Sequence, residues 1–288
     1  MRSNRRMKWV AAPVAVTAAL ALAGCTPAQL RGFLPEGSTD ATNHTPGITS
    51  LWVNAWIVLL AVGVLTWALI IWATIAYRRR KGQTGLPVQL RYNMPIETLF
   101  TVVPVILVLG FFAFTAQEQS KIEARDENPD NVVEVIGKRW AWDFNYVSDD
   151  VFFQGVQVQT DDSGSAIPET MPVLYLPVDQ STEVRLETRD VIHSFWIVEF
   201  LQKKDMIPGQ TNYLTFTPTT TGTFMGKCAE LCGEYHSMML FEVRVVEQAE
   251  YDAYVASLRE QGNEGQVGTE FNPNQEFFFG DEAKAENE

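Results

Sequence analysis

Cys228, Cys232, His236 and Met239 follow one another at spacings of four, four and three, in the run Gly226-Lys227-Cys228-Ala229-Glu230-Leu231-Cys232-Gly233-Glu234-Tyr235-His236-Ser237-Met238-Met239. Thiolate, imidazole and thioether together suit copper, because soft sulfur donors favour Cu(I) and imidazole accepts either copper oxidation state. The run has no helical stripe and is bounded by Gly226 and Gly233, so it reads as a loop that can fold both sulfurs back onto one point. A second histidine is needed to complete such a site, and of the 3 in the chain only His44 and His193 remain. His193 lies in Arg189-Asp190-Val191-Ile192-His193-Ser194-Phe195-Trp196, an apolar, aromatic strand edge. Cysteines four apart in an oxidising compartment could instead form a disulfide, and two cysteines with two histidines could hold structural zinc. A disulfide leaves the spacing of His236 and Met239 without a reason, and zinc has little use for the methionine.

Such a loop has to be carried by strands. Residues 131–247 show period-two and short apolar runs broken by Gly, Pro and Asp turns. Strands are expected at Val132–Ile136, Trp140–Tyr146, Phe152–Val158, Val173–Leu176, Glu183–Thr188, His193–Val198, Tyr213–Phe216, Thr223–Gly226 and Met239–Val246. Many short strands at this interval indicate a sandwich or barrel, and a metal loop between late strands points to the cupredoxin type. Trp140, Trp142, Phe144 and Tyr146 alternate and are expected on one strand face, an aromatic core. Residues 247–260 have helical periodicity through Tyr251, Tyr254, Val255 and Leu258, and 261–288 are polar, acidic and expected to be largely disordered, with Phe277-Phe278-Phe279 available to dock on a partner.

The first half of the chain is different in kind. Arg2, Arg5, Arg6 and Lys8 precede an apolar run from Trp9 to Ala23, the pattern of a signal peptide over residues 1–24. Leu22-Ala23-Gly24-Cys25 resembles a bacterial lipoprotein processing site, which would make Cys25 a lipidated N-terminus; an ordinary signal with an incidental cysteine is the alternative. Residues 25–47 read as an exposed linker in which His44 is solvated and has no role. Residues 48–117 then form a transmembrane hairpin, with spans at about 48–77 and 94–116, each long enough to cross a bilayer. Arg78-Arg79-Arg80-Lys81 places the connecting turn in the cytoplasm and both long flanks outside. Glu97 stands one turn into the second span, where a carboxylate must face protein or water, or snorkel to the interface.

The charge divides along the same line. Residues 118–288 carry 32 acidic and 12 basic side chains, a net of −20, and residues 1–117 carry 3 and 10, a net of +7, giving the whole chain −13. This imbalance argues against nucleic acid as a partner and for a membrane protein with a cationic one.

At the Asp190-Val191-Ile192-His193-Ser194-Phe195-Trp196 strand, the Asp205-Met206-Ile207-Pro208-Gly209 turn and the Cys-Ala-Glu-Leu-Cys-Gly-x-x-His-x-x-Met loop, the sequence resembles subunit II of the haem–copper cytochrome c oxidases. The likeness runs from the first span to about residue 247. It implies a two-helix membrane hairpin followed by an all-β, cupredoxin-like Greek-key domain (residues 118–247) on the extracytoplasmic side of a bacterial cell membrane, with residues 248–288 as a peripheral helix and acidic tail. It implies a dinuclear copper centre of the CuA type: Cys228 and Cys232 bridging, His193 and His236 each capping one copper, Met239 and the Glu230 carbonyl as weak ligands. The Glu230 side chain would join a magnesium site at the subunit I boundary. Trp140, first of the Trp-x-Trp pair, would receive the electron, and Glu97 would stand near the mouth of a proton pathway through subunit I. The implied partners are subunits I and III, membrane lipid, and cytochrome c or a cytochrome c-type subunit of a bc complex. Gln210 departs from the basic residue common at that place, which puts the local contact to subunit I in question. A quinol-oxidase-type subunit II would lack the copper ligands, and a copper-delivery protein would need neither the Trp-x-Trp strand nor Glu97.

Overall fold

The computed structural model describes residues 26–86, 89 and 91–268. The signal peptide, Cys25 and the tail with Phe277-Phe278-Phe279 lie outside these residues.

Two helices, Thr45–Ala76 and Met94–Ile122, are long and apolar enough to cross a membrane. Their faces are apolar all round and their most apolar windows are entirely unburied within the chain, as befits surfaces covered by lipid or partner helices. Both run past the expected ends, the first starting at Thr45 and the second continuing to Ile122. Asn93 caps the second helix through Ile96, and Pro104 lies inside it.

The second half is a sandwich of two five-stranded sheets. One orders β3 (Val151–Gln154), β2 (Ala141–Tyr146), β1 (Asn131–Lys138), β5 (Thr182–Thr188) and β8 (Asn212–Phe216). The other orders β4 (Val173–Pro177), β10 (Leu240–Val246), β9 (Gly222–Cys228), β6 (His193–Ile197) and β7 (Gln202–Met206). Neighbours are antiparallel except β1 with β5 and β4 with β10, which run parallel. The inward side chains of the two sheets, among them Val135, Trp142, Phe144, Leu186, Phe195 and Phe241, are fully buried. Gly226 sits among them because the Phe241 ring occupies the place of a side chain: a Cβ there would lie 2.1 Å from that ring.

Three expectations are corrected. The strand predicted at Phe152–Val158 ends at Gln154, where Gly155 turns so close that an added Cβ would meet the Trp142 carbonyl at 2.2 Å. Residues 25–47 are not an exposed linker throughout: Ser38, Ala41, Thr42 and Thr45 are buried, and the segment straps onto the loop after β8. Asn43 exchanges two bonds of 2.9 Å with Thr217, and the Asp40 carbonyl accepts the hydroxyls of Thr219 and Thr220. His44, expected in solvent, is half-buried with Nε2 3.1 Å from the Thr215 carbonyl; burial lowers its pKa and that bond partly restores it. Finally, residues 261–268, expected to belong to a disordered tail, pack back on the sandwich after the C-terminal helix (Gln248–Glu260). Asn145 clamps Val267 there by two side-chain bonds of 2.9 Å to its backbone.

Candidate metal centre

The register of β6, β9 and β10 assembles the donors. Phe195 pairs with Cys228 and Leu240 with Lys227, so Cys228 at the end of β9 lies beside the start of β6, where His193 points inward. The loop leaving β9 is pinned on both sides, with Ala229 N–H bonded to the Ser194 carbonyl at 3.0 Å and Cys228 N–H to the Met239 carbonyl at 2.9 Å. A helical turn, His236–Met238, brings the last two donors back.

The resulting cluster is compact. The two Sγ atoms are 3.9 Å apart, His193 Nδ1 lies 3.7 Å from Cys228 Sγ, and His236 Nδ1 lies 3.5 Å from Cys232 Sγ. The Glu230 carbonyl is 3.2 Å from Cys228 Sγ and Met239 Sδ is 3.8 Å from Cys232 Sγ. Among the described residues His193, Cys228 and Cys232 form a buried group able to hold a metal ion. The cysteines are free, and their separation is far from a covalent bond of about 2.05 Å. A disulfide is therefore not what the loop is built around. Two sulfurs, two imidazole nitrogens, a thioether and a carbonyl aimed at one another fit copper, and the buried thioether fits zinc poorly.

The thiols titrate as a pair. The hydrogen bond with Cys232 pulls Cys228 down to about 3 in spite of burial, and Cys232, hydrogen-bonded to that thiolate and buried, is held well above the ordinary thiol range. His193 is fully buried, which opposes its charge, yet Asp190 and Cys228 more than offset this and raise its pKa. Its Nε2 is 2.8 Å from Asp190 Oδ1, which leaves Nδ1 facing the sulfurs. Asp190 also accepts the backbone N–H groups of Arg139 at 2.8 Å and Val191 at 2.7 Å, and its side chain is only 3% exposed. Burial raises the carboxyl, and the bonds from His193, Arg139 and Val191 overcome that to leave it below the usual range. The sequence missed this role; the three-residue spacing of Asp190 and His193 was its only trace.

Trp140 is not on the strand face with Trp142. It occupies the turn before β2, edge-on to Tyr235 with ring centroids 5.0 Å apart, and packs over Gly233, whose φ of 127° and lack of a side chain admit the indole. Trp142, expected only as core, donates its indole N–H to the Met239 carbonyl at 3.4 Å and lies 6.4 Å from the His193 ring. Gly137 leaves room behind that ring, since a Cβ there would be 3.1 Å from it. Glu230 turns its carbonyl inward while the residue is exposed at the rim, beside Leu231. Glu97 is far from this cluster, in the first turn of the second membrane-length helix, and accepts the Asn93 N–H at 2.9 Å.

Fold and site together define a membrane-anchored, cupredoxin-like domain with a sulfur-rich metal loop. Residues 131–246 match the family described as "Cytochrome C oxidase subunit II, periplasmic domain". The chain is 42% identical over 282 residues to "Probable cytochrome c oxidase subunit 2" of Streptomyces avermitilis, covering 88% of each. It is 32% identical over 285 residues to "Cytochrome c oxidase subunit 2" of Mycobacterium tuberculosis, covering 82% of this chain and 78% of that one. It also resembles the crystal structure of the periplasmic domain of subunit II of cytochrome oxidase (CoxB) of Bradyrhizobium japonicum, with 30% identity, a TM-score of 0.42, and coverage of 46% of this chain and 96% of the other. The chain belongs to the cytochrome c oxidase subunit 2 family.

Proposed function

We propose that this chain is the subunit that receives electrons for a haem–copper oxidase in a bacterial cell membrane. Cytochrome c, or a cytochrome c-type subunit of a bc complex, docks on the extracytoplasmic domain, and its electron passes to haem in subunit I, where oxygen is reduced to water and protons are pumped. Subunit III completes the assembly. The single observation that carries this reading is the convergence of the Cys228 and Cys232 sulfurs with two imidazole Nδ1 atoms, a thioether and a carbonyl where the loop after β9 meets the start of β6. A dinuclear copper centre of the CuA type, when bound, would supply a one-electron carrier.

The residues of the chain prepare that site. Cys228 and Cys232 would hold the centre through their sulfurs, His193 and His236 through ring nitrogens, and Met239 and the Glu230 carbonyl as weaker donors. Burial of Cys228, Cys232, His193 and Met239 excludes water, and the backbone bonds to Ser194 and Met239 hold the loop rigid, which keeps reorganisation small. Trp140 stands on the rim, against Gly233 of the loop itself, and is the residue through which the electron arrives. The rim-exposed Glu230 carboxylate suits a hard cation such as magnesium at the subunit I boundary. Glu97, at the cytoplasmic end of its helix, feeds the proton pathway. Removal of a signal peptide over residues 1–24 and a lipid on the newly exposed Cys25 complete the anchoring.

Stopped-flow reduction by cytochrome c tests the assignment of Trp140. Trp140→Phe removes no charge, so it should slow electron arrival strongly while donor affinity and the metal spectrum stay nearly intact; a normal rate leaves Trp140 only its packing role against Tyr235 and Gly233. In the same preparations Glu97→Ala should lower oxygen turnover with copper content unchanged, and normal turnover leaves Glu97 only a helix cap.

A further inference from the structure

The turn between the membrane-length helices carries Arg78-Arg79-Arg80-Lys81 immediately after Tyr77, the cap of the first helix. Gln83 gives this turn a definite shape. Its side-chain oxygen accepts the Arg80 N–H at 2.8 Å, its own N–H donates to the Arg80 carbonyl at 3.1 Å, and its carbonyl accepts Nε and Nη2 of Arg79 at 3.2 Å. Gly82 and Gly85, at φ of 93° and 91°, supply the left-handed positions that the turn requires. The product is a hollow of about 620 Å³ lined by Arg78, Arg79, Arg80, Gln83, Thr84 and Gly85. No carboxylate occurs in the sequence between Asp40 and Glu97, and Glu97 is engaged by the Asn93 N–H. Three adjacent arginines thus line a concave site, with Lys81 next in sequence and no counter-charge from their own stretch of chain.

The depth of the hollow bears on its ligand. Trp72 and Tyr77 meet edge-on with centroids 5.3 Å apart, an aromatic pair of the kind that marks the membrane–water interface. Ile71 and Ile75, just above the cations, are 54% and 67% exposed. An anionic headgroup joined to acyl chains matches this pairing of a cationic hollow with an apolar wall, and the acidic end of a partner helix is the rival occupant that the test separates from it. We propose that the turn binds the phosphodiester of an anionic membrane phospholipid. The guanidinium groups of Arg78 and Arg80 grip its oxygens as forks, Lys81 adds charge, and the acyl chains run along Ile71 and Ile75.

The test uses the assembled oxidase, extracted in detergent, stripped of lipid and examined by native mass spectrometry with added phosphatidylglycerol, phosphatidylcholine or inorganic phosphate. The wild type should retain phosphatidylglycerol in preference to phosphatidylcholine, and inorganic phosphate at the same concentration should not displace it. Arg78→Gln combined with Arg80→Gln should bind phosphatidylglycerol roughly tenfold more weakly, while Arg91→Gln, outside the hollow, should not differ from wild type. The double variant keeps Arg79 and Lys81, so the membrane orientation is preserved, and single Arg80→Gln provides the reading if assembly fails. Unchanged lipid retention in the variants overturns the proposal. So does full displacement by inorganic phosphate, or loss of a partner subunit with the lipid still bound.

Discussion

His193 reaches the sulfurs through Nδ1 because Asp190 occupies its other nitrogen, so one buried carboxylate decides which face of the ring is offered. Such outer partners typically change metal affinity by about 10- to 100-fold. Asp190→Asn keeps the size and an acceptor but loses the charge, and should weaken copper retention by that order in a chelator titration. Retention equal to wild type would reduce Asp190 to a packing residue. A pH dependence follows for the metal-free protein. Asp190, whose folded pKa is depressed, contributes stability above about pH 3.9 that is lost as pH falls through the folded value. His193, whose folded pKa is raised, contributes stability that is full below about pH 6.5 and lost as pH rises through the folded value. The gap in urea midpoint between wild type and Asp190→Asn should therefore be widest near about pH 5 and narrow on either side; a constant gap would mean that charge is not the cause. The donors themselves were legible, since Cys, His and Met declare their chemistry by type and spacing. Asp190 was not. Beside Arg189 it reads as one more surface carboxylate suited to docking a donor, and only the turn into β6 carries it inward.

The elements were legible where burial is one-sided and opaque where it is not. β9 and β10 alternate between buried and open positions and stand close to their expected places. β7 escaped notice because Gln202-Lys203-Lys204-Asp205-Met206 is an edge strand with three successive charged residues, of which Lys203 holds Asp205 at 2.6 Å. The strap at Ser38–Thr45 has the Thr- and Asn-rich composition of a loop, and its buried face is recognisable only once its partners at Thr215–Thr220 are in place. Alternation with Trp142 places Trp140 on a strand, but the chain turns there to set the indole over Gly233. Gly226 shows how tightly β9 is fitted. Gly226→Ala would drive a methyl group into the Phe241 ring, two residues from Cys228. The expected result is a loss of about 1–3 kcal/mol of stability in denaturant unfolding together with weaker copper retention. A variant as stable as wild type would mean that Phe241 moves aside without consequence.

The whole molecule is a polarised object: a net of −20 over residues 118–288 stands on the outer side of two apolar helices, and a run of four cations lies between those helices. For a basic, freely diffusing donor, this field should speed encounter at low salt and lose its effect as the Debye length shrinks from about 10 Å at 0.1 M to about 3 Å at 1 M. The second-order rate of reduction should accordingly fall with added salt, and a salt-independent rate would point to a donor fixed within a larger assembly. The central claim is that Cys228 and Cys232 share a pair of coppers, and metal content with the visible and electron paramagnetic resonance spectra of the purified chain tests it most directly. Two coppers per chain and a mixed-valence spectrum that disappears in Cys228→Ser are predicted. One copper per chain, zinc in its place, or a spectrum unchanged by Cys228→Ser would contradict it.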